Sequence, residues 1–188
     1  HSISQIGYVA LGLGLGTPLG IVGGLYHMVN HSVFKSLLFL NAGAVEYATG
    51  RRNLKQLGGL REKMPITAGT SLIASMSIAG IPPFNGFWSK LIIVLACILA
   101  GHYWLAFAAV FVSLMTLASF LKAQKYAFFE KPKAVLEQVR EAPVLMLVAM
   151  LILAGLCVAL ALLVLTGLDA PFLIDAAENS LTEGRFAL

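Results

Sequence analysis

Ile81-Pro82-Pro83-Phe84-Asn85-Gly86-Phe87-Trp88-Ser89-Lys90 interrupts a long apolar stretch and sets a cation beside the interruption. The paired prolines remove two backbone donors and their rings clash with the preceding turn, while Gly80 and Gly86 loosen the chain on either side. A continuous helix cannot run through. In a bilayer the freed carbonyls find no water, so irregular backbone at membrane depth persists only where it is buried in protein or lines a hydrated cavity. The break built from Gly80, Pro82, Pro83, Asn85 and Gly86 is therefore the first functional candidate.

The flanking sequence belongs to a membrane protein. Of 188 residues, 59% are hydrophobic and 12% charged, with a mean hydropathy of +0.85, far above a soluble domain of this size. The formal charge of +4 reflects topology rather than nucleic acid, because ten of the thirteen basic residues fall in two short segments between apolar runs. Cys97 and Cys157 stand isolated inside apolar runs, which assigns both to core packing. The chain opens at His1 and enters an apolar segment directly, without a basic n-region and cleavage site, so it reads as a fragment. It carries no Gly-rich nucleotide loop, haem motif or iron–sulfur cysteine set. No cofactor is expected in this chain, and any redox chemistry belongs to another subunit.

The fold class expected is an all-α integral membrane bundle of about five spans, one of them discontinuous. Residues 1–168 form the bundle, with helices at about 3–16, 19–47, 65–100 broken at 81–86, 102–129 and 142–168, and residues 169–188 form an acidic tail. The first is short for a span. The basic segments at 49–63 and 122–141 should both be cytoplasmic, since short loops rich in Lys and Arg remain on that side. Only an even number of crossings can separate them. The broken segment then counts as one span in two halves. His1 and His102 lie at segment ends, Tyr103 and Trp104 suit an interfacial belt, Trp88 suits packing, and Lys131 to Glu141 has the mixed charge of a short surface helix.

His27, His31 and Lys35 recur every four residues, so they form a slowly turning stripe about 12 Å long on one helix. Glu46 returns to nearly the same face close to the cytoplasmic end. A lysine at helix centre costs about 2.5–3.5 kcal/mol on insertion scales, which directs Lys35 toward a hydrated interior. Imidazoles pass protons through their two nitrogens, and a row of them suits a relay through side chains and water. Lys90 falls in the first turn of the second half-helix, where burial and the positive dipole end both oppose a permanently held proton. Asn85 and Ser89 can hold water there or cap the broken ends.

The ordered set His27-Met28-Val29-Asn30-His31-Ser32-Val33-Phe34-Lys35, Leu57-Gly58-Gly59-Leu60, Met64-Pro65 and Ala79 to Lys90 resembles the antiporter-like membrane subunits of NADH–quinone oxidoreductase, membrane-bound hydrogenases and Mrp-type cation/proton antiporters. That resemblance implies a bundle of fourteen helices built on two inverted repeats, this chain matching the second from mid-way onward. It further implies proton translocation along His27, His31, Lys35 and Lys90; Glu46 and Ser89, read from their own placement, are secondary candidates. The implied partners are the lipid bilayer, other membrane subunits and upstream helices, in a bacterial or archaeal cell membrane. An Mrp-type Na⁺(K⁺)/H⁺ antiporter subunit and a non-transporting remnant or scaffold are the alternatives.

Overall fold

Thr17 and Pro18 divide the first apolar stretch into two helices. Pro18 stands in the first turn of α2 (Pro18–Thr49), where a missing N–H costs nothing, and the Thr17 hydroxyl accepts from the Gly20 amide at 3.1 Å. The shorter α1 (Ser2–Gly14) folds back along α2. At 32 residues α2 is about 48 Å long, and every other long helix except α6 packs extensively on it. The computed structural model describes residues 1–132 and 138–167, and all regular structure within them is helical.

A short helical turn, α3 (Leu60–Lys63), delivers the chain to α4 (Pro65–Ala79). Then come α5 (Asn85–Leu99), α6 (Tyr103–Gln124) and α7 (Val144–Gly167), with a π-helical turn at Lys125–Phe129 prolonging α6. By length and composition, Tyr103–Phe129 and Val144–Val164 can each cross a membrane. Trp104, Phe107, Phe111 and Leu114 leave the outer side of α6 openly apolar, as a lipid-facing helix requires. At 15 residues apiece, α4 and α5 are each too short for a hydrocarbon layer of about 30 Å.

Between them the helical path stops at Gly80, whose φ of 77° ends α4 in the left-handed region. The interruption covers residues 80–84 rather than 81–86, because Asn85 and Gly86 already belong to α5. Their inclusion follows from a close crossing: a Cβ on Gly86 would collide with the Ser77 carbonyl oxygen, so glycine lets the two broken ends pass side by side. The core combines aliphatic and aromatic packing with buried hydroxyls and amides, among them Asn41, Thr67, Thr70 and Gln124. Phe34 and Leu37 of α2 meet Ile78 of α4 and Met150 and Cys157 of α7, while Cys97 packs with Tyr8, Ile93 and Ala106. Of the surface helix expected from Lys131 to Glu141, residues 133–137 lie outside the described residues, and those described around them are not helical. The acidic tail at 169–188 also lies outside them.

Candidate functional site at the interrupted helix

A helix that stops inside a bundle leaves its last carbonyls without intrahelical donors. At the end of α4 all four are provided for. The Gly80 amide serves Met76 O and Ser77 O, each at 3.1 Å, and Ile81 N adds a bond to Met76 O at 3.0 Å. The remaining two are met by side chains from other helices: Lys90 Nζ donates to Ile78 O at 2.7 Å, and Ser113 Oγ to Ala79 O at 2.8 Å. Lys90 is the sixth residue of α5, past its first turn, and its ammonium meets the C-terminal carbonyls of α4 rather than the positive end of α5 that the sequence suggested; a cation there is electrostatically favourable, so the break itself creates the seat for Lys90. Gly80 leaves the room, since a Cβ there would lie 2.9 Å from Lys90 Cδ. Lys90 is only 5% exposed; its ammonium also reaches Ser113 Oγ at 3.3 Å and sits 4.8 Å above the Tyr8 ring.

Tyr8 is the physical link between Lys90 and the histidine row. Its ring lies 5.4 Å from that of His27, and its hydroxyl donates to the Ala109 carbonyl. His27 is fully buried, with Nε2 3.2 Å from Gln5 Oε1 and Nδ1 2.8 Å from Ser89 Oγ. The Gln5 oxygen only accepts, so Nε2 carries the proton in this arrangement and Nδ1 accepts from Ser89. Below it, Asn85 Nδ2 donates to Asn30 Oδ1 at 3.0 Å while Asn30 Nδ2 donates to Asn85 O at 3.2 Å, fastening the first turn of α5 to α2. Asn85, the first residue of α5, also accepts from Gly86 N at 3.0 Å through Oδ1 and so takes up one amide of that helix's first turn.

The structure brings His27, Ser89, Asn85 and Lys90 together and leaves His31 and Lys35 further along α2. His31 is half-buried, with Nε2 out of contact with solvent and without a partner among the described residues. Lys35, also half-buried, lies over the Phe39 ring at 4.9 Å and lines a groove of about 370 Å³ between α2, α4 and α6. Glu46 lines the same groove but pairs with Arg52 at 2.7 Å.

Opposite the break, the N-terminus of α4 is held by Glu141, whose Oε2 accepts from Ile66 N at 2.9 Å and Thr67 N at 3.5 Å. Its other oxygen accepts from the Thr67 hydroxyl at 2.6 Å. Pro65 needs no acceptor and Ala68 N reaches Met64 O, so this end too is satisfied. Sequence reasoning missed Gln5, Tyr8, Asn30, Ser113, Gln124 and the capping role of Glu141. A polar amide or hydroxyl inside an apolar helix was the available signal for most of them.

These features define a class: a helical membrane bundle whose buried ionisable groups gather at a discontinuous helix. Residues 1–116 match the family model described as NADH:quinone oxidoreductase/Mrp antiporter, TM. The chain belongs to that family of antiporter-like membrane subunits. It is 41% identical over 161 residues to an Na⁺/H⁺ antiporter subunit of Alkalihalophilus pseudofirmus, an alignment covering 82% of this chain and 33% of that protein. Among solved structures it resembles a chain of the archaeal membrane-bound sulfane sulfur reductase, a respiratory membrane complex, with a TM-score of 0.81 and 41% identity over 85% of this chain and 26% of that one. It also resembles a chain of the Mrp complex from Dietzia sp. DQ12-45-1b, with a TM-score of 0.81 and 29% identity over 97% of this chain and 42% of that one. The chain therefore spans between about a quarter and two fifths of the length of these relatives.

Proposed function

We propose that this chain is the C-terminal part of a proton-translocating subunit in a larger respiratory or hydrogenase-type membrane complex, and that protons move along His27, His31, Lys35 and Lys90. In this reading α4 and α5 form one interrupted span among five, corresponding to the second of two inverted repeats. Both basic segments face the cytoplasm of a bacterial or archaeal cell. Neighbouring membrane subunits and helices upstream of this sequence complete the path, and electron transfer takes place on another chain.

The observation that carries the reading is the seat of Lys90. A buried ammonium held by one carbonyl and one hydroxyl, with no carboxylate beside it among the described residues, is a cation that can give up its proton without stranding an opposite charge. His27 and Ser89 stand beside it with exchangeable protons. Replacing Lys90 by Ala should abolish proton pumping by the assembled complex while subunit stoichiometry stays normal. Pumping at the unaltered rate would refute the role.

A second reading, exchange of Na⁺ for protons, is favoured by the 41% identity to an Na⁺/H⁺ antiporter subunit. Against it, no carboxylate among the described residues stands beside His27 or Lys90 to replace the water around Na⁺. Proton flux in vesicles that depends on added Na⁺ would select exchange, and flux indifferent to Na⁺ would select proton translocation.

A further inference from the structure

The residues four positions beyond Ile78 and Ala79 are Pro82 and Pro83, so the amides that would bond these two carbonyls in a continuous helix do not exist. Lys90 and Ser113 stand in for them. Ser113 touches both partners: its oxygen accepts from Lys90 Nζ at 3.3 Å, and its single proton goes to Ala79 O at 2.8 Å. Ala79 is 2% exposed, so its carbonyl has little solvent to turn to if that proton is withdrawn.

This arrangement requires a charged Lys90. The ammonium donates to Ile78 O at 2.7 Å and to Ser113 Oγ, and it lies over the Tyr8 ring at 4.8 Å. Loss of a proton along the row puts a lone pair in place of one N–H. That lone pair is repelled by Ile78 O, itself an acceptor, and by the negative face of the Tyr8 ring. The Tyr8 hydroxyl is committed to the Ala109 carbonyl. Ser113 has a hydrogen to give: rotation about Cβ–Oγ turns its hydroxyl to Nζ without breaking any bond to hydrogen. Ala79 O then has no donor among the described residues. The freed carbonyl belongs to the peptide that joins Ala79 to Gly80, and a residue without a Cβ tolerates its reorientation.

We propose that Ser113 couples the proton on Lys90 to the end of α4. With Lys90 charged the hydroxyl caps Ala79 O and the last turn is closed; with Lys90 neutral the hydroxyl turns to Nζ and that turn loosens. Ser113 is thus a positioning residue. The inference rests on the reading of Lys90 as a group that loses and regains its proton, and it adds the backbone movement that each loss releases. Of the elements packed around Lys90, α1 turns Tyr8 toward it and α2 carries His27 close by, α6 presents Ser113, and α4 and the break have no ionisable side chain.

The test is hydrogen–deuterium exchange at the Gly80 and Ile81 amides, which bond to Met76 O and Ser77 O in the same turn. It is measured on the whole complex in lipid, over the pH range in which the complex stays assembled, and corrected for the intrinsic pH dependence of exchange. Protonation closes the turn, so wild-type protection should be high at low pH and fall about tenfold as Lys90 becomes neutral, the effect of one lost hydrogen bond. Ser113→Ala should leave both amides weakly protected at every pH, and Ser113→Thr should restore the wild-type profile. Lys90→Met keeps Tyr8 and His27 and should show no pH dependence. A flat wild-type profile, an unaltered profile in Ser113→Ala, or a pH dependence that survives in Lys90→Met overturns the coupling. Proton flux in Lys90→Ala separates the two claims: lost flux beside a flat wild-type profile sinks the coupling alone, whereas retained flux beside a pH-dependent one sinks the functional reading.

Discussion

Replacing Lys90 by Met separates a transporting lysine from a structural cap. The substitution keeps the length of an apolar stem and removes the ammonium that donates to Ile78 O at 2.7 Å and Ser113 Oγ at 3.3 Å. Losing a charged hydrogen bond costs about 1.5–3 kcal/mol. Against this, the variant no longer desolvates an ammonium at 5% exposure, a penalty of several kcal/mol per buried ion. Ser113 stays available to Ala79 O, so only Ile78 O loses a donor. The balance predicts stability equal to or above the wild type. A mere cap predicts a loss of about 1.5–3 kcal/mol, read as a lowered melting temperature. Proton flux in reconstituted vesicles and thermal unfolding of the purified complex are measured on one preparation. Flux at background with an unchanged or raised melting temperature is expected. Retained flux, or lost flux that merely accompanies a lower melting temperature, refutes the reasoning.

Other substitutions probe the frame around Lys90. Gly86→Val drives a branched side chain into the Ser77 carbonyl where the broken ends cross, so a loss of about 1–3 kcal/mol or more is expected, seen as reduced yield of assembled complex. Glu141→Ala removes the acceptor for two amides and a hydroxyl at the start of α4 and should cost about 0.5–2 kcal/mol, readable as a lower melting temperature, with Glu141→Asp recovering part of it. Arg52→Ala breaks an exposed pair and should leave stability within about 1 kcal/mol of wild type, so the melting temperature barely moves.

The interruption was legible because proline and glycine act locally: two prolines and Gly80 stop a helix whatever surrounds them. Lys90 was legible as a buried cation because its charge is costly in any apolar surrounding. Its partners were not. Ile78 O and Ser113 lie 12 and 23 residues away, and Tyr8 lies on α1, so only the packing of α1, α4 and α6 on α5 reveals the seat. The four-residue spacing of His27, His31 and Lys35 marks a common stripe, but α2 packs unevenly along its length and buries His27 far more deeply than the other two. Gln124 escaped notice because one amide close to the basic segment reads as an interfacial residue. Its meaning depends on Ser71 and Ser75, some fifty residues earlier.

The central claim is that water threads the interrupted helix and joins its buried cations. Locating solvent in a high-resolution structure of the whole complex in lipid tests it most directly. Ordered water within hydrogen-bonding distance of Lys90 Nζ, and a further file between His31 and Lys35, is the result predicted. A dry, apolar surround at both lysines, filled by lipid tails or aliphatic side chains, would contradict the account.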